Sequence, residues 1–309
     1  MATVSTLANG IKVATQKTAV PAARVGIFSG MGSGAEAVQH VGKMNLFANA
    51  VSAAGTGASA STSRANTQIR AQGADAAVAM AKITAALAAP PNMEAARAAS
   101  DAQAVALDKD MWALSKEYAY KTAFQSEALG QPTTGSSSVI NNTSAEEIAD
   151  KKNSLLRAGM AVVAVGNVDH DQVCAEVEKQ FGSLVQSYSN IHGDQQAQLF
   201  TGSTFSHRFD SLGFAVATLM QHAVPSGHPD YWALRVANEI IGSWSNDDLY
   251  SEHSPMNLAR RFTRRPELCA KFQSFYDTFP GNGVFGVTYQ VNGDGDEGLE
   301  ATTESIKKN

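Results

Sequence analysis

The 309-residue sequence predicts a mixed α+β chain in two parts, the second partly repeating the first. Three observations lead there. With 44% apolar and 17% charged residues the chain is an ordinary globular one, and its length suits two domains better than one. Strand-like and helix-like segments interleave along it, and no heptad or glycine triplet recurs. The polar stretch Tyr188–Gly202, with Gly193-Asp194-Gln195-Gln196 at its middle, reads as an interdomain linker, after which the strand-then-helix pattern begins again.

In chain order, Ile11–Gln16 and Arg24–Ser29 read as two strands joined by a turn around Pro21. Gly30, Gly32 and Gly34 form a flexible turn before a helix at Val41–Ala54. Ala58–Gln72 alternates small and polar residues, as a strand or strand pair would. Asp75–Ala89 carries Val78, Met80, Ile83 and Leu87 among good helix formers, with Asp75 as cap and Pro90-Pro91 as stop. Met93–Ala128 runs helically without proline or glycine, and Gly135–Thr143 reads as a Ser/Asn-rich loop. Met160–Val165 is a short apolar strand, and Gln172–Phe181 a helix with Val173, Val177 and Phe181 on one face. Beyond the linker, Phe214–Leu219, Phe272–Thr278 and Gly283–Gln290 read as strands. Tyr231–Ile241, Leu258–Phe262 and Glu297–Lys308 read as helices.

Composition closes off several functions. The longest apolar run, Ala158–Gly166, falls far short of the roughly 20 residues of a membrane helix. Cys174 and Cys269 make neither a disulfide framework nor a thiolate zinc site, which points to a reducing compartment. The net charge is −5, residues 1–100 carry +5, and the basic residues are scattered, which argues against nucleic acid as a partner. The first residues, Met1-Ala-Thr-Val-Ser-Thr-Leu7, read as neither a secretory signal nor an Arg-rich presequence.

The motif search is mostly negative. Gly30-Met-Gly32-Ser-Gly34 lacks phosphate-loop spacing and a following Gly-Lys-Ser/Thr. Asn292-Gly-Asp294-Gly-Asp296 opens like a calcium loop, but Glu297 replaces the turn glycine and Thr303 the bidentate glutamate. Asn141 and Asn142 match glycosylation acceptors in a chain without secretory features. The seven histidines stand singly, none paired with another at i+3 or i+4, and no G-x-S-x-G elbow occurs. Arg260-Arg261-Phe-Thr-Arg264-Arg265 is the one dense basic patch; it reads as a solvated helix end, with contact to an acidic partner or lipid phosphate as the alternative.

A resemblance then emerges. Leu7-Ala-Asn9-Gly10-Ile11-Lys12-Val13, Val25-Gly26 through Gly32-Ser33-Gly34-Ala-Glu36, Phe124 through Leu129-Gly130, and Val165-Gly166-Asn167-Val168-Asp169-His170-Asp171 resemble consecutive motifs of the pitrilysin-type peptidase family. His228-Pro229-Asp230, Val236 through Gly242-Ser-Trp244, Met256-Asn257-Leu258 and Phe272-Gln273-Ser274-Phe275 are similar to its β-type mitochondrial branch. That branch holds both a processing-peptidase subunit and a core protein of ubiquinol–cytochrome c reductase. The resemblance implies two homologous mixed α/β-sheet halves: residues 1–190, a linker at 191–196, and 197–309 as a second, incomplete half, truncated or completed by another chain.

Active members carry H-x-x-E-H on the helix after the second strand and a further glutamate downstream. Carried onto this sequence, the two ligand histidines fall at Asn45 and Asn49, the general base at Ala48 and the distal ligand at Gln103. Amides are poor zinc ligands and alanine accepts no proton, so the resemblance implies no catalytic residue, no metal and no cofactor. It implies instead a non-catalytic core subunit of the mitochondrial reductase, peripheral on the matrix side of the inner membrane, beside a second homologous core subunit and other subunits. The competing reading is a metal-free, presequence-binding subunit of a processing peptidase. Asn246–Ser254, which lacks glycine, favours the first over the second.

Overall fold

In the computed structural model the described residues are 2–184, 186, 198–247, 258, 262, 269–292 and 296–307. They form a mixed α/β structure with two separate sheets. The chain divides into two compact units, one of residues 1–105 and 131–196, the other of 106–130 and 197–309. The expected linker at 191–196 and most of the Arg260–Arg265 patch lie outside the described residues, as does Asn246–Ser254 beyond Asp247.

The first unit holds strands β1 (Thr3–Thr6), β2 (Lys12–Lys17), β3 (Ala23–Ser29), β4 (Ala58–Thr62), β5 (Thr67–Gly73) and β6 (Met160–Gly166), in the order β1-β2-β6-β3-β5-β4. The expected pairing of the second and third strands does not form. β6 lies between them, parallel to β2 and antiparallel to β3, with Ile27 opposite Val162 and Ser29 opposite Met160. An apolar strand buried on both neighbours displaces a local hairpin because it brings Val162 and Ala164 fully into the core. Each large aliphatic side chain so buried contributes about 1.5–3 kcal/mol.

Helices α1 (Lys43–Ser52), α2 (Ala76–Ala88), α5 (Ser137–Asn142), α6 (Ala145–Arg157) and α7 (His170–Phe181) belong to this unit. Helix α2 starts as its sequence suggests, the Asp75 carboxylate accepting the Val78 N–H at 2.8 Å. Residues 137–142, expected as loop, are helical because Ser136 caps them, accepting the Val139 N–H. Helix α6 opens on a reciprocal box: Ser144 Oγ accepts the Glu147 N–H, and the Glu147 carboxylate accepts the Ser144 N–H.

The single long helix expected over Met93–Ala128 is two, α3 (Met93–Lys109) and α4 (Met111–Phe124). Asp110 turns extended between them, and its carboxylate accepts the Trp112 and Ala113 N–H groups, so α4 begins anew. Residues 106–130, which the sequence reading places within 1–190, belong to the second compact unit, the boundary falling within α3. In the second unit α4 lies along the four-stranded sheet β7 (Phe214–Ala223), β10 (Asn282–Asn292), β9 (Lys271–Phe279), β8 (Ser243–Ser245). Tyr120 Oη donates to Asp277 at 2.7 Å, and Lys116 pairs with the same carboxylate. On the sheet, Trp244, Phe262 and Phe272 form an aromatic cluster. Helices α8 (Tyr231–Ile241) and α9 (Asp296–Lys307) complete the unit.

The glycine-rich turn after β3 is packed, not flexible. A Cβ on Gly32 would stand 2.4–2.5 Å from Arg64 O, Asn66 N and Ser63 O, all backbone atoms of the β4–β5 turn. Gly34 N–H also donates to Arg64 O, fixing the approach. Gly32→Ala should therefore destabilise the chain by roughly 2–3 kcal/mol. A denaturation midpoint equal to wild type would contradict this close approach.

Candidate functional site

The residues expected at a vestigial metal site lie on α1 and α3, and the position of α1 depends on a carboxylate outside it. Gly42, the residue before α1, has φ +109° and no side chain to cap the helix. Glu36 supplies the cap from six residues upstream. Its Oε2 accepts the Gly42 N–H at 2.9 Å and its Oε1 accepts the Met44 N–H at 3.1 Å. A negative charge at a helix N-terminus is favourably placed against the helix dipole. Lys151 of α6 brings its ammonium 3.0 Å from Glu36 Oε1, and the Glu36 side chain has no exposed surface at all. A second ion pair, Lys43–Glu147, joins α1 directly to α6, and its hydrogen bond holds the Glu147 carboxyl below the ordinary range.

Burial pushes the Glu36 carboxyl above the ordinary carboxylate range, against the opposing pull of Lys151 and of the Gly42 and Met44 N–H groups. The desolvation cost thus outweighs the partners.

From this start α1 runs buried over its first nine residues. Asn45 and Asn49, one turn apart, face Gln103 of α3. Asn45 Nδ2 donates to Gln103 Oε1 at 2.8 Å, and Asn49 Nδ2 donates to the same oxygen at 3.2 Å. Gln103 Nε2 returns a bond to Asn49 Oδ1 at 3.1 Å, and Asn49 Nδ2 also reaches Ser100 Oγ at 2.9 Å. Ser100 in turn donates to Ala96 O. Ala48, on the same helix, is fully buried. The structure thus brings Asn45, Asn49 and Gln103 together, adds Ser100, and leaves Ala48 without a polar atom to contribute.

Four neutral side chains make up this cluster, and their amides bond to one another. Zinc takes imidazole, thiolate or carboxylate donors, none of which is present. The nearest buried carboxylate on this stretch, Glu36, is committed to capping α1. The residues do not fit a zinc ion, and among the described residues no three His, Cys, Asp or Glu converge to hold any metal. Asn45 and Asn49 are buried and so need partners within the protein, which Gln103, itself exposed, supplies to both.

Other candidate groups serve structure. His170 bridges Ser5 Oγ of β1 and Thr15 Oγ1 of β2, each at 2.8 Å, and His222 bonds Asn282. Burial pushes the Cys269 thiol up to about 12 and raises Cys174 as well, so neither is poised as a thiolate nucleophile. Sequence reasoning missed Glu36 as the organiser of the site, and with it Lys151 and Ser100. The signal for Glu36 was a helix opening on Gly42-Lys43-Met44 with no Ser, Thr, Asp or Asn to cap it.

Comparison with known proteins follows the same line. The family described as "Peptidase M16 inactive domain" matches residues 152–308. The mitochondrial-processing peptidase subunit beta of Blastocladiella emersonii is 29% identical over 204 residues, covering 66% of this chain and 43% of that protein. Human cytochrome b-c1 complex subunit 1, mitochondrial, is 29% identical over 177 residues, covering 56% of this chain and 36% of that protein. The chain thus spans less than half the length of these curated relatives. Among solved structures, a chain of Complex III2 from Candida albicans superposes with TM-score 0.79 at 22% identity, covering 94% of this chain and 72% of that one. A peptidase M16 inactive domain from Pseudomonas fluorescens gives TM-score 0.73 at 14% identity, covering 100% and 79%.

Lys151→Met leaves the Glu36 charge buried beside two N–H groups alone. It should cost about 3 kcal/mol at neutral pH, the usual scale for breaking a buried pair. Removing the cation raises the folded-state carboxyl further above its unfolded value. The deficit therefore grows as pH rises through that folded value and shrinks as pH falls, where Glu36 is protonated in both proteins. Chemical denaturation of both proteins across pH 4–8 checks it, and a pH-independent deficit would contradict it.

The motifs along the N-terminal half, the two-sheet fold and the match over residues 152–308 agree: the chain belongs to the peptidase M16 family, whose inactive-domain description it matches.

Proposed function

We propose that the chain is a non-catalytic core subunit of a mitochondrial ubiquinol–cytochrome c reductase. The observation that carries this reading is the closed amide cluster of Asn45, Asn49 and Gln103 beside Ala48. We take these as the positions at which active members hold zinc and its general base. Neutral amides at the ligand positions and an alanine at the base position support the reading that this cluster does not hold zinc or activate water for peptide hydrolysis. What the fold keeps is two sheet-and-helix units, each with its own core, suited to contacting other subunits.

Similarity to a cytochrome b-c1 subunit in sequence and to a Complex III chain in fold supports the reading. In it the chain sits peripherally on the matrix side of the inner membrane, next to a second homologous core subunit. Quinol oxidation and cytochrome c reduction belong to other subunits, which hold the redox groups. No helix among the described residues is long and apolar enough to cross a membrane, which suits a peripheral place.

Equal identity to a processing-peptidase β-subunit supports the second reading, a metal-free partner that binds presequences without cleaving them. Mild detergent extraction of membranes carrying a tagged chain separates the two. We expect the chain to migrate in constant ratio with haem and with quinol–cytochrome c reductase activity. Migration away from haem, with presequence-cleaving activity instead, would overturn the core-subunit reading.

A further inference from the structure

Where the chain breaks at Asp110, between α3 and α4, a cavity opens against one end of the second sheet. Strand pleating decides which side chains face it. Gln290 of β10 stands opposite Val216 of β7 on one side and Lys271 of β9 on the other, so the three form one row across the sheet. Phe214, two residues before Val216, shares their face. Farther along that face Thr218 bonds Ser115 and Asp277 pairs with Lys116, which seats α4 on the sheet. Helix α4 begins only at Met111, so the row meets its first turn and the last turn of α3 instead of one continuous helix. The cavity left there measures about 370 Å³, and all its lining residues belong to the second unit.

Its walls and its charge point to one class of ligand. Met111, Trp112, Phe214 and Val216 supply the apolar wall, and all four are half-buried, so part of that surface still faces the opening. Two cations share the cavity with them. Lys271 holds its ammonium 4.5 Å from the centroid of the Trp112 ring, and Lys109 stands exposed at the rim. Lys43, Lys116 and Lys151 each meet a carboxylate, but among the described residues neither Lys109 nor Lys271 does. Asp110 is the one carboxylate in the lining, and its Oδ1 is committed to the Trp112 and Ala113 N–H groups at 3.0 and 3.1 Å. An ammonium over an indole gains a cation–π contact yet keeps hydrogen bonds to give, and charge-assisted bonds to a carboxylate are the strongest it can make.

We infer that this cavity binds a small amphipathic carboxylate, its ring or chain against Trp112, Phe214 and Val216 and its charge held by Lys109 and Lys271. The volume lies near the lower end of the range for small-molecule sites, roughly 300–1,000 Å³, which suits a ligand of one or two rings. The site uses none of the residues of the amide cluster, and the inference does not rest on the reductase reading.

The test titrates the full chain by calorimetry with 1-naphthoate and with 1-naphthamide, which has the same shape and no charge. Naphthoate should bind at a single site, about fivefold more tightly than the amide. Trp112→Ala should weaken both ligands, because both lose the indole wall. Lys109→Gln with Lys271→Gln should bring naphthoate down to the affinity of the amide and leave the amide unchanged. Lys109→Gln alone alters only an exposed side chain, so the thermal midpoint should hold while the preference for naphthoate falls about twofold. Absence of saturable naphthoate binding, equal affinity for the two ligands, or a preference that survives both lysine substitutions would overturn the inference. Binding that Trp112→Ala leaves untouched would overturn it as well, since the ligand would then sit elsewhere.

Discussion

A carboxylate with no access to water decides how the first unit is assembled. Glu36 takes the place of an ordinary helix cap, receiving the first N–H groups of α1 from a loop rather than from the preceding residue. Because that charge is dry, it needs a cation, and Lys151 of α6 provides it. One interaction therefore fixes three things: the start of α1, the packing of α6 on it, and the placing of β6, which follows α6 after two residues. The site depends on the same geometry, since Asn45 and Asn49 meet Gln103 only if α1 begins where Glu36 sets it.

The amide cluster shows how polar side chains at a helix–helix contact, two of them buried and Gln103 exposed, bond to one another. The two buried asparagines would each leave orphaned donors or acceptors if they faced apolar neighbours, whereas Gln103 also meets solvent. Here they bond to one another, with Ser100 Oγ accepting from Asn49 and its hydroxyl donating to Ala96 O. Replacing the whole set by aliphatic groups of matching shape would cost little, while replacing one member would strand the rest. The cluster is thus a packing solution with its own cooperativity, consistent with a scaffold and unsuited to activating water.

Much of this was legible in the sequence, and the parts that were not have specific causes. Helix α2 was readable from both ends, because Asp75 and Pro90-Pro91 act locally. The cluster positions were readable only through family motifs, since nothing in Asn45, Ala48 or Asn49 alone announces a site. The split of Met93–Ala128 was missed because Asp110 looked like one polar residue in a helix, whereas its side chain bonds forward to Trp112 and Ala113. The place of β6 was missed because pairing across more than a hundred residues leaves no local mark, and Pro21 suggested a hairpin instead. The role of Glu36 was hidden for the same reason: its partner Lys151 lies 115 positions away.

Helices α1 and α3 present amides bonded to each other rather than a metal centre. Elemental analysis of the purified full chain, after dialysis against a weak chelator and re-exposure to zinc, measures this directly. Far less than stoichiometric zinc should remain, with the same residual content in an Asn45→Ala, Asn49→Ala variant. Retention of about one zinc per chain, lost in that variant, would contradict it.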